Sequence, residues 1–135
     1  MIFNLIAVAV GGACGAVVRY LVSEGMNIWI PSKNALSNFP VATFLVNVIG
    51  CFLIGIASCF FARDHFVGNE AWRFFAITGV LGGFTTFSTF SWESITLLEA
   101  RPLLGGTYIL GTLALCLVAA YAGRALGKLL WQTNA

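Results

Sequence analysis

One apolar segment of this chain is at odds with itself. Residues from about Ala71 to Leu98 are long and greasy enough to cross a bilayer, whose hydrocarbon core takes about 20 residues of helix. Yet the centre of that segment, Gly79 to Phe90, reads Gly-Val-Leu-Gly-Gly-Phe-Thr-Thr-Phe-Ser-Thr-Phe. Glycine loses the most backbone entropy on folding, and Thr and Ser compete with the helix for backbone hydrogen bonds. At membrane depth an unsatisfied peptide group survives only when buried in protein or lining a polar cavity. The stretch is therefore expected to interrupt the helix, with a half-helix on either side. Its freed carbonyls suit a cation and its new helix N-terminus suits an anion. On these residues alone a continuous helix with a Gly/Thr packing face fits equally well.

The rest of the chain reads as three more spans. Of 135 residues 59% are hydrophobic and 9% charged, against about 25% charged in an ordinary soluble domain. We expect one all-α integral membrane domain over residues 1–135, with helices at about 2–22, 40–62, 71–98 and 103–130. The first apolar run begins at Ile2 without a basic leader and is too long for a signal-peptide core. The charge of +2 is too small and scattered for a nucleic-acid partner. No nucleophile–base pair marks an enzyme. The single histidine, His65, and four cysteines without a Cys-x-x-Cys pair argue against a metal cluster or disulfide frame. Cys14, Cys51, Cys59 and Cys116 are expected as small packing residues.

Several polar residues fall inside the spans. In helix 1, Gly11 and Gly15 make a Gly-x-x-x-Gly face for close backbone approach, and Arg19 lies near the expected end, placed to snorkel. In helix 2, Thr43, Asn47 and Cys51 share one face at i, i+4, i+8. Asn47 serves either as interhelical glue or as a donor to a dehydrated anion. In helix 3, Phe84, Phe87 and Phe90 recur every third residue on one expected face, and Glu93 reads as an interfacial charge or, alternatively, a vestibule charge. In helix 4, Tyr108 and Thr112 are neighbours at i, i+4. Lys and Arg divide into Arg63, Arg73, Arg124 and Lys128 on one side against Arg19, Lys33 and Arg101 on the other. So small a bias predicts insertion in both orientations and an antiparallel pair.

Gly79-x-x-Gly82-Gly83-x-Thr85-Thr86-Phe87-Ser88-Thr89-Phe90 resembles the signature of the bacterial fluoride channels (Fluc, CrcB-type). Gly11-Gly12-x-x-Gly15-Ala16-x-x-Arg19-Tyr20 and Thr43-x-x-x-Asn47-x-x-Gly50 resemble its first two helices; in the fourth, Thr112 stands where the family pattern has Ser. The resemblance implies a passive fluoride-selective channel of the bacterial inner membrane that relieves fluoride toxicity. It implies an antiparallel dual-topology homodimer in the lipid bilayer, with two pores and a structural, untransported Na+ at the interface. That Na+ would be held by the backbone carbonyls of Gly82 and Thr85 from both copies. Phe87, Phe90 and Asn47 would line the pore, with Thr89, Tyr108, Thr112 and Thr43 as its polar wall; Arg19 matches a family arginine. The competing class, a small multidrug-type proton-coupled exporter, needs a carboxylate in mid-membrane, and Glu93 is the only candidate.

Overall fold

The computed structural model describes residues 1–29, 39–62 and 70–132. Lys33 and the Arg63-Asp64-His65 segment lie outside those residues. Everything described is helical or a short connection: α1 (Ile2–Trp29), α2 (Val41–Phe60), α3 (Glu70–Arg73), a π-helical stretch (Phe74–Leu81), α4 (Gly82–Phe84), α5 (Phe87–Ala100) and α6 (Pro102–Gln132). Four spans are long and apolar enough to cross a membrane, Ile2–Met26, Val41–Phe60, Glu70–Ala100 and Pro102–Trp131.

The boundaries follow from local chemistry. α1 passes the expected end at Val22 because nothing before Pro31 removes a backbone N–H. Arg19 therefore lies well inside the helix and not at its end. Pro40 precedes the first residue of α2, and its carbonyl receives the Phe44 N–H at 3.0 Å. Arg101 is pushed to φ −147°, ψ 81° by the proline after it, and Pro102 opens α6, where a missing N–H costs nothing.

Two close helix contacts fix the subunit, and both are made by glycine. A methyl on Gly11 or Gly15 would run into the carbonyl oxygens of Phe75 and Val80, and one on Gly79 would come 2.9 Å from the Cα of Gly11. The small-residue face of α1 is thus occupied by the π-helical stretch of the same chain. Likewise Gly55 lies against Ala120 and Arg124, and Gly123 against Phe52 and Ile56. α2 and α6 therefore run side by side in the same direction, in a fixed register. The glycine faces are consumed within one subunit.

Candidate functional site

The site is built where the third span changes conformation. Gly82 is helical, at φ −64°, ψ −36°. The two residues that leave the helix are Thr85 (φ −81°, ψ 158°) and Thr86 (φ −150°, ψ 113°). Within the Gly79–Phe90 stretch the extended backbone falls on two β-branched residues, which favour that geometry. Phe84 lies before this pair, in α4. It does not share the face of Phe87 and Phe90, because the three-residue repeat assumed an unbroken helix.

Each peptide group of the pair is satisfied. The Thr85 N–H and its hydroxyl both donate to the Leu81 carbonyl at 3.0 Å. The Thr86 N–H donates to Asn47 Oδ1 at 2.8 Å, and Asn47 Nδ2 donates to the Thr86 carbonyl at 3.0 Å. Asn47 thus supplies from α2 the donor and acceptor that a helix would have given. Thr86 caps α5: its hydroxyl oxygen accepts the Thr89 N–H at 3.2 Å and its hydroxyl donates to Thr89 Oγ1 at 2.9 Å, the usual way a first-turn N–H is satisfied. The Thr85 methyl fills the space that Gly50 leaves open.

Arg19 does not snorkel. Its Nη1 donates to the Thr85 carbonyl at 3.4 Å. The Gly82 carbonyl would accept from the Thr86 N–H in an unbroken α-helix, but that N–H goes to Asn47. The two carbonyls named for a cation are therefore a Gly82 oxygen without its helical donor and a Thr85 oxygen with one lone pair in use. Both are hard oxygen donors, the donor type that a hard cation such as Na+ takes.

Beside this pair lies a cavity of about 310 Å³. Asn47, Gly82, Thr85, Phe87, Phe90 and Thr112 all line it, together with Cys51 and Cys116, and among the described residues no charged side chain does. The Thr112 hydroxyl is buried and has no hydrogen-bond partner among the described residues. Phe90 is 5% exposed and Phe87 is 73% exposed, their ring centroids 5.5 Å apart. Phe90 stands 5.3 Å from the ring of Tyr108.

The other expected residues are placed elsewhere. Arg19, Thr43 and Thr89 line a second hollow with Thr86. Tyr108 is fully buried. Its hydroxyl donates to Glu93 Oε2 at 2.9 Å, and the Thr43 hydroxyl donates to Glu93 Oε1 at 2.9 Å. Glu93 is therefore not a simple interfacial charge: both oxygens are held by hydroxyls of α2 and α6. The sequence carried a signal for this, since Thr43 and Tyr108 were singled out, but not for their common acceptor.

The family described as CrcB-like protein, Camphor Resistance (CrcB), matches residues 6–124. A protein named fluoride-specific ion channel FluC from Agrobacterium fabrum is 45% identical over 126 residues, covering 93% of this chain and 96% of its own length. One of the same name from Thermotoga maritima is 40% identical over 125 residues, covering 93% and 94%.

Proposed function

The chain belongs to the CrcB-like protein family, and from that premise we propose that it is a fluoride-selective channel. It passes fluoride passively out across the bacterial cytoplasmic membrane through its four spans. It is a channel and not an enzyme. The observation that carries this reading is the uncharged cavity at the Thr85–Thr86 pair, with the unpartnered Thr112 hydroxyl and the Phe87 and Phe90 rings in its wall.

The physics of such a wall suits a small, strongly hydrated anion. A pore must replace hydration with donors and still release the ion. The Thr112 hydroxyl has a proton to offer, and Asn47 Nδ2 has a second N–H beyond the one given to Thr86. Aromatic edges carry partial positive charge and attract an anion more weakly than a guanidinium does. Thr43 and Tyr108 act through Glu93, whose carboxylate they hold. That arrangement leaves no loosely held mid-membrane carboxylate for proton coupling and disfavours the exporter reading.

The working unit in this reading is an antiparallel dual-topology homodimer, its third span broken at Thr85–Thr86. Two features support it. Lys and Arg divide into Arg63, Arg73, Arg124 and Lys128 on one side against Arg19, Lys33 and Arg101 on the other. That difference of one barely biases insertion. A single subunit also leaves Phe87, in the wall of the cavity, 73% exposed. The Gly82 and Thr85 carbonyls of two copies would together hold the structural Na+, whose chemical role is to neutralise carbonyl dipoles brought face to face. Arg19 orients the Thr85 carbonyl.

The test is ion efflux from liposomes holding the purified protein. Fluoride efflux with chloride retained supports the channel; equal efflux of both, or of neither, overturns it.

A further inference from the structure

The sequence treats the four cysteines as unrelated packing residues, but the register of α2 on α6 brings two of them together. Cys59 Sγ donates to the Arg124 carbonyl at 3.4 Å, an offset of 65 residues. The same offset places Gly55 against Ala120 and Thr43 with Tyr108 on one carboxylate. It also carries Cys51 onto Cys116. Both thiols line the same cavity beside Asn47 and Thr112. The backbone contacts at Gly55 and Gly123 hold the helices rigidly just beyond the pair.

We propose that Cys51 and Cys116 form a two-thiolate site for a soft, thiophilic d10 cation, and that filling it occludes the cavity. Soft sulfur ligands select such ions over the hard cations that oxygen sites take. Such cations favour linear coordination by two sulfurs, so a pair suffices where a tetrahedral ion would need four ligands. With a mercuric ion, each sulfur loses one proton and forms one bond to the metal, and the two protons leave to solvent. The product carries no net charge, as a low-dielectric wall requires. The binding half of the proposal stands on the thiol pair alone; the occlusion half rests on the channel reading.

The experiment uses full-length protein carrying Cys14→Ala and Cys59→Ser, which leaves only the pair. HgCl2 is titrated against the detergent-solubilised protein while the ultraviolet sulfur-to-mercury charge-transfer band is followed. Saturation at one mercuric ion per chain is expected. Cys51→Ser or Cys116→Ser should each weaken binding by about 10²–10⁴-fold, the gain from joining two ligands on one scaffold. Reversible capping of both thiols with a methanethiosulfonate should abolish the band without mutation. Two ions per chain, with either single variant binding as before, or no binding at all, overturns the site. In liposomes the loaded protein should lose fluoride efflux and regain it with a competing dithiol. Unchanged efflux from loaded protein overturns the occlusion. Absent efflux from metal-free protein instead overturns the channel reading and leaves the titration standing.

Discussion

Asn47 and Thr86 hold each other at two points: the amide nitrogen reaches the Thr86 carbonyl at 3.0 Å and the amide oxygen receives the Thr86 N–H at 2.8 Å. One buried side chain on α2 thereby replaces the hydrogen bonds that the third span gives up at its extended pair. Asn47→Asp keeps the acceptor but sets a carboxylate against a carbonyl. It should lower stability by about 1–3 kcal/mol, the usual result of leaving a buried polar group unpaired, and abolish fluoride efflux. The check is thermal unfolding of the purified protein beside the efflux assay. An unchanged melting temperature would show that the clamp contributes nothing to the fold.

Gly50 and Thr85 form a second pair whose shapes depend on each other. Gly50→Ala should drive a methyl into the Thr85 methyl and destabilise the protein by about 1–3 kcal/mol, as overpacking does. Thr85→Ser removes that methyl while keeping the hydroxyl that bonds Leu81. It should therefore recover most of the loss. A double-mutant cycle measures the coupling, and additive effects would remove the contact from the account.

Thr112 separates structural from conductive roles. Its hydroxyl has no partner among the described residues, so Thr112→Val deletes a buried polar group that bonds none of them. Stability should stay the same or rise. Efflux should fall several-fold, and Thr112→Ser should retain it. Normal efflux through a folded Thr112→Val protein would take this hydroxyl out of the pore.

Phe87 and Phe90 should respond differently to the same change. Phe90→Ile loses ring contacts with Phe87 and Tyr108, worth about 0.5–1.5 kcal/mol each. Phe87 is mostly exposed in the subunit, so Phe87→Ile should leave subunit stability nearly unchanged. Both substitutions discard the ring edge, so both should sharply reduce fluoride efflux per folded protein. Wild-type efflux in both variants would assign the rings to packing alone.

Gly82 reports on the assembly and not on the subunit. Its backbone is helical, and an added Cβ would meet only the Ile77 carbonyl oxygen, at 3.8 Å. Gly82→Val should fold as a single chain yet weaken the sodium dependence of dimer stability. Dimer dissociation is compared in sodium and in N-methylglucamine. An ion that binds only the dimer stabilises it by about 2.7 kcal/mol at 100 times its dissociation constant. Equal dissociation in the two salts would leave the central ion without support.

Much of this protein was legible without coordinates. Four spans follow from hydropathy, because each must satisfy its own backbone in lipid. The glycine pairs announce close contacts, and the Gly-Thr-Phe stretch marks where the third span is irregular. These are local properties, set by residue type and spacing along one segment. What lay beyond reach depended on distances between segments. Whether Asn47 served as glue or as a donor turned on which peptide stood opposite it. Arg19 and Glu93 read as interfacial charges until α1 met Thr85 and Thr43 met Tyr108 across one carboxylate. The glycine faces gave no indication of their partners, and the fit of α1 on the π-helical stretch and of α2 on α6 chose them within the chain. Only the register of α2 on α6 brought Cys51 to Cys116, because side-chain contact across helices depends on crossing and offset, which no single segment encodes.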